Sequence, residues 1–185
     1  MCGAAFYYIY NIKRIRKYLS KRVAESLIHA FVTSRVDFCN SLLYGMPSTV
    51  IKKIQRVQNA AARLLIGSSK FDHITPVLKE LHWLPIRYRI QFKVIILTYK
   101  CIHKIAPQYL QDLIKPQSES KYNLRSRDKL LLEIPPITKS KMGDRSFKMA
   151  APHLWNELPL RLREITHISL FKQSLKTYLF TLSFK

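Results

Sequence analysis

The stretch from Leu84 to Ile105 limits what this chain can become more than any other. Pro85 suits the first position of a helix, where a missing N–H costs little, and Pro107 prevents the helix from running on. Between them stand Ile86, Ile90, Phe92, Val94, Ile95, Ile96, Leu97, Tyr99, Cys101, Ile102 and Ile105. At about 100° per residue these cover most of the circumference, the pattern of a central, nearly enclosed helix. One narrow strip escapes, where Arg89, Lys93, Lys100 and Lys104 share a face interrupted by Ile96. A buried helix that shows cations through its single open side points toward a long anionic partner. The expected fold is mainly α, an irregular helical bundle around this helix (about 85–105). At most one short strand or hairpin is expected, near 129–138.

The charge balance points the same way. The chain carries 32 Lys and Arg against 11 Asp and Glu, a net charge of +21. That surplus runs along the whole length and is not gathered in a tail. Self-repulsion of this size disfavours a compact state unless a polyanion or an anionic surface offsets it. Nucleic acid is the leading partner, ahead of a ribosome-like or membrane-surface one. Disorder is excluded, because 48% of the 185 residues are hydrophobic, enough for a real core. Cys2, Cys39 and Cys101 are too scattered for a disulfide framework or a zinc site. No stretch approaches the roughly 20 uncharged apolar residues of a membrane span. The apolar run at 2–10 makes a poor signal peptide, being short and preceded by no basic segment. A soluble protein of a reducing compartment is expected, neither secreted nor membrane-bound.

Two further segments place cations on helices. Residues 6–19 suit an amphipathic helix with Tyr8, Ile9, Ile12, Ile15 and Leu19 on one side and Lys13, Arg14 and Lys17 on the other. Those three serve as a solvated face or as phosphate contacts, and with Arg16, Lys21 and Arg22 they could form a nuclear-import cluster. The helix from Ser48, a plausible N-cap, to Gly67, a plausible stop, is the clearest in the chain. Val50, Ile54, Val57, Ala61, Leu64 and Leu65 form its apolar stripe, with Lys52, Arg56, Asn59 and Arg63 opposite. Eleven residues of helix span roughly 16 Å, enough to touch two or three phosphates of one strand. A merely solvated face mixes Glu with Lys for i,i+4 pairs. This helix contains no acid.

The remaining segments set the expected organisation. Ala24–Tyr44 reads as one long or broken helix, with Asp37 beside Arg35 as a local ion pair or turn contact. Thr75 and Pro76 open a short helix to Leu81, and Leu81-His82-Trp83-Leu84-Pro85 links it to the central helix, where Trp83 could stack on a base but better suits, as an aromatic between two leucines, the anchor of a helix–helix corner. A short helix follows Pro107. Residues 115–128 form a linker, Leu130–Pro135 a short strand, and 145–158 a helix interrupted by Pro152. A last helix, capped by Ser169, carries a stripe of Phe171, Leu175, Tyr178, Leu179 and Leu182. Three segments follow: a basic helical bundle at 1–114, the linker at 115–128, and a small C-terminal extension at 129–185 that packs back on the bundle.

Catalytic signatures are missing. Metal-dependent phosphoryl transfer needs converging carboxylates, and no two acids here are adjacent. Four glycines leave no phosphate-cradling loop. The six histidines lack i,i+4 pairing and zinc-like spacing to cysteine. No cofactor, metal site or catalytic residue is expected.

An ordered series of blocks carries a resemblance. Residues 34–45 (Ser-Arg-Val-Asp-Phe-Cys-Asn-Ser-Leu-Leu-Tyr-Gly) are followed by Val57-Gln58-Asn59-Ala60-Ala61-Ala62-Arg63 and His73-Ile74-Thr75-Pro76. Then come Leu81-His82-Trp83-Leu84-Pro85, Leu124-Arg125-Ser126, Trp155-Asn156-Glu157-Leu158-Pro159 and Phe171-Lys172. The series resembles the region downstream of the polymerase domain in reverse transcriptases of non-LTR (LINE-type) retrotransposons, over roughly residues 12–180. The resemblance implies a thumb-like segment and C-terminal extension that grips RNA and DNA backbones, with an upstream polymerase domain as a partner. It also implies a nuclear location with a cytoplasmic ribonucleoprotein stage. The aromatic-x-Asp-Asp polymerase motif and the terminal Cys/His knuckle of some related elements are both missing from this chain, so it is not expected to be an enzyme by itself. Sequence-independent binding is then assigned to Lys52, Arg56, Arg63, Arg89, Lys93, Lys100 and Lys104, with Lys13, Arg14 and Lys17. Two alternatives remain open: a basic helical protein-interaction or scaffold module, and a non-functional retrotransposon remnant.

Overall fold

A computed structural model describes residues 2–117, 130–136 and 143–185. The protein is mainly helical, as the periodicity predicts. It divides into two compact units, Met1–Arg89 with Phe180–Lys185, and Ile90–Leu179. The division runs through a helix. Most of the linker expected at 115–128 lies outside the described residues, as does the Leu124-Arg125-Ser126 block.

In the first unit, α1 (Cys2–Ile15) buries Ala5, Ile9 and Ile12 and tightens into a 3-10 turn at Arg16–Tyr18. Ser20 caps α2 (Lys21–Ile28) by accepting from the Val23 N–H at 3.3 Å. A π turn at His29–Thr33 joins α2 to α3 (Ser34–Asp37) without a break. The cause is legible in the spacing. Ala24, Ile28, Val32 and Val36 are all buried and four residues apart. On a regular α-helix such a stripe drifts by about 40° at each step, and one under-wound turn brings it back toward the core. Of the long or broken helix expected at Ala24–Tyr44 the structure has the broken form: it ends at Asp37, and Cys39 reverses the chain at φ +50° before a 3-10 turn at Asn40–Leu43.

Helix α4 (Ser48–Ile66) buries Ile54, Val57, Ala61, Ala62 and Leu65 and stops at Gly67, whose φ of +77° suits a residue without Cβ. Pro47, not Ser48, occupies the N-cap position. Two glutamines tie α4 to the start of α6 (Ile86–Ile102). Gln58 donates to the Leu84 carbonyl at 2.8 Å, and the Gln55 side-chain oxygen accepts the Ile86 N–H at 2.8 Å. Gln55 thus satisfies a first-turn donor that α6 cannot satisfy itself. Between them, α5 (Ile74–Glu80) buries Val77 and Leu78. Trp83 is buried, its ring 5.5 Å from that of His29, which is the corner role expected of it.

The second unit takes α6 from Ile90 onward, α7 (Gln108–Gln111), α8 (Phe147–Asn156), α9 (Leu160–Arg163) and α10 as far as Leu179 of its span Ile168–Ser183. Along all of α6 only Arg87 and Lys93 are exposed. The unit's centre is aromatic: Tyr99 stacks on Phe171 at 4.2 Å, and Trp155 tilts against Phe171 at 5.9 Å. The Tyr99 hydroxyl donates to the Thr166 carbonyl. On α10, Phe171, Leu175 and Leu179 are buried. Helix α8 continues through Pro152, a buried residue whose packing offsets the missing hydrogen bond.

The strand expected at Leu130–Pro135 is reduced to one antiparallel bridge, Pro116 to Leu132. Side chains of α8 take the place of a partner strand. Asn156 accepts from the Leu132 N–H and donates to the Leu132 carbonyl, both at 2.9 Å, and the Trp155 indole donates to Leu130 at 2.9 Å. With its polar backbone groups met there, Leu132 is buried without a sheet.

Candidate nucleic-acid interface

The cations read from sequence separate into those that the fold uses and those that it leaves exposed. Arg89 belongs to the first kind. Instead of lining an open strip, its guanidinium makes a two-pronged ion pair with Asp37, Nε to Oδ1 at 2.9 Å and Nη2 to Oδ2, with both side chains at least three-quarters buried. This also corrects the Arg35–Asp37 pairing. Asp37 instead accepts from Asn40 at 3.2 Å, and Arg35 lies over the Tyr8 ring and donates to its hydroxyl at 3.1 Å. A largely buried carboxylate is better satisfied by a planar two-pronged partner than by a neighbour two residues away on the same turn.

Arg63 is also engaged. It donates to the Asp72 carbonyl at 3.0 Å and is half-buried in the last turn of α4, where a cation favours the helix dipole. Arg16 serves the same end of the same helix, donating to Leu64 at 3.3 Å and Leu65 at 3.2 Å. Lys21 lies 3.4 Å from Glu80. The import cluster read from sequence is thereby partly consumed by structure. Lys13 and Arg14 are exposed in the last turn of α1, again the favourable end, and Lys17 lies over the Tyr18 ring at 4.8 Å.

In the second unit Lys93 is exposed and Lys100 half-buried, while Lys104 follows the end of α6 at φ +57°. The strip read along residues 89–104 therefore does not present four equivalent cations.

Lys52 and Arg56 are different. Both are exposed, and so is Lys53, which the row read from sequence leaves out. Its signal was available: position 53 lies about 60° from Arg56 around the helix axis. These three stand in the N-terminal half of α4, toward the positive end of the helix dipole, with no acid anywhere in the helix. Lys52 and Arg56 are an i,i+4 pair of like charge, a combination that costs about 0.2–0.5 kcal/mol. Among the described residues no ion pair offsets that cost. Asn59, fourth in the row, has its side-chain oxygen tied to Gln55 at 2.8 Å. The exposed cationic centre is therefore Lys52, Lys53 and Arg56.

Elsewhere, burial pushes the Cys101 thiol up to about 11 and holds the His103 imidazole below its ordinary range. His103 lies 4.1 Å from the Tyr99 ring. Both groups are packing elements. Among the described residues no group of His, Cys, Asp and Glu is arranged to hold a metal ion, and no helix is long and apolar enough to cross a membrane. No protein-family model matches the chain, and searches of characterised proteins and of solved structures return no match either.

Proposed function

We propose that this chain binds the sugar-phosphate backbone of RNA or DNA without sequence preference, as a helical segment of a LINE-type reverse transcriptase whose catalytic palm lies elsewhere. The observation that carries this reading is the acid-free outer face of α4, where Lys52, Lys53 and Arg56 are exposed at a local cost to the helix. A polyanion repays such a cost, because each phosphate neutralised releases condensed counterions. The overall charge of +21 supports it, since attraction of this range brings a long anion to the surface at low salt. The ordered sequence blocks supply the parentage, and a nuclear location follows from that parentage. In this reading the chain synthesises no DNA by itself and works beside a polymerase domain.

Filter binding of 20-nucleotide RNA and DNA across salt tests the proposal. With about six phosphate contacts, affinity should fall roughly a thousandfold between 50 and 200 mM salt. A flat salt response removes the proposal.

A further inference from the structure

Beside the cationic row of α4, the first unit has a second surface with a different chemistry. Between α1 and α2 with its π turn lies an open groove of about 440 Å³, lined by Tyr8, Asn11, Ile12, Arg14, Ile15, Leu27 and Phe31. One wall is a pair of rings, Tyr8 stacked on Phe31 at 5.2 Å with 17° between planes, and Tyr7, next to the lining, stands edge-on to Tyr8 at 5.6 Å. Tyr7 is 63% exposed and Phe31 42% exposed, and Arg35 lies over the Tyr8 ring. The Arg14 guanidinium lies at the rim, and Asn11 brings a carboxamide with both donors and an acceptor. No acid occurs from Cys2 to Ser20, and Glu25, the one acid of α2, lies within 3.6 Å of His29.

From these observations we infer that the groove accepts unpaired nucleobases, so that the partner is single-stranded nucleic acid. A partly exposed flat ring such as Phe31 suits any base, because every base presents a π-face. A cation at the rim suits the phosphate attached to it, and a free carboxamide suits a base edge. An acidic or neutral helix would be a poorer fit, since the groove offers stacking faces and positive charge together. The inference deepens the proposed function and rests on it for the backbone contacts.

The test is fluorescence anisotropy with the full chain and two labelled 12-mers of equal charge, oligo-dT and a wholly abasic strand. The expected result is that the chain prefers oligo-dT by about tenfold or more, the scale of one or two stacked bases. Tyr7→Ala with Phe31→Ala should abolish that preference while leaving the abasic strand's affinity unchanged. Tyr109→Ala, an exposed ring of the second unit, should change neither. Lys52→Glu with Arg56→Glu should weaken both strands by the same factor, which reports on the backbone reading separately. Equal affinity for the two strands overturns the inference and leaves the proposed function standing; failure to bind either overturns both. Sedimentation supplies a second check that needs no folded double variant. Self-association of the chain that oligo-dT does not disperse would make the groove a contact between copies and would also overturn the inference.

Discussion

Helices α4 and α6 each carry several cations along one arc, and the two rows meet different fates. On α4 the apolar stripe occupies one side, so Lys52, Lys53 and Arg56 have the opposite side to themselves. On α6 the apolar surface runs nearly all round, and its strip is divided: Arg89 reaches Asp37 and Lys100 is half-buried, while Lys93 and, past the helix end, Lys104 are exposed. The same sequence signature therefore means mostly display on one helix and partial consumption on the other. What decides is the width of the polar arc, not the number of charges within it.

The comparison breaks most readily from the packed side. Tyr99→Ala removes a fully buried ring that stacks on Phe171, and urea unfolding should show a loss of about 3–5 kcal/mol. A loss below about 1 kcal/mol would mean that α6 is not the enclosed helix described here. Arg89→Ala leaves Asp37 without its two-pronged partner and should cost about 2 kcal/mol. Lys93→Ala, four residues on and exposed, should stay within about 0.5 kcal/mol. Equal costs for the two would erase the distinction between consumed and displayed cations.

Acid should also act on the packed side. His103 is held neutral by burial, so its folded pKa lies below its ordinary value of 6.5. As pH falls through that value the unfolded chain takes up the proton first, and stability is lost toward the folded pKa. Melting temperature should therefore fall between pH 7.5 and 5.5, and His103→Gln should flatten that part of the dependence. The smallest effect lies on α4, where the sign reverses. Lys52→Glu places an acid toward the helix N-terminus and four residues before Arg56, and should stabilise the protein by about 0.5 kcal/mol. Destabilisation there would mean that Lys52 has a structural duty after all.

What could be read beforehand follows from the same physics. Periodicity identified α4, α6 and the packed stripe Phe171, Leu175 and Leu179, because amphipathic spacing is a local property. Gly67 marked its helix end for the same reason. The Arg89–Asp37 pair was not legible, since its partners lie 52 residues apart and only tertiary packing brings them together. Nor was the substitution of Trp155 and Asn156 for a partner strand: the β-like run Leu130–Leu132 gives no hint that side chains from 24 or 25 residues on will meet its backbone. The groove beside α1 depends on where Leu27 and Phe31 lie, which no single-helix pattern reports. Lys53 was legible and was missed, because the row was drawn too narrowly.

The most direct test compares the slope of log affinity against log salt for the wild type, Lys52→Glu/Arg56→Glu and Lys93→Ala/Lys104→Ala, on one single-stranded oligonucleotide. If the α4 face meets the backbone, the first pair should lower the slope by about two, roughly one for each phosphate contact removed. The second pair should lower it by less than half as much. Equal changes from both pairs, or no change from the first, would contradict the account.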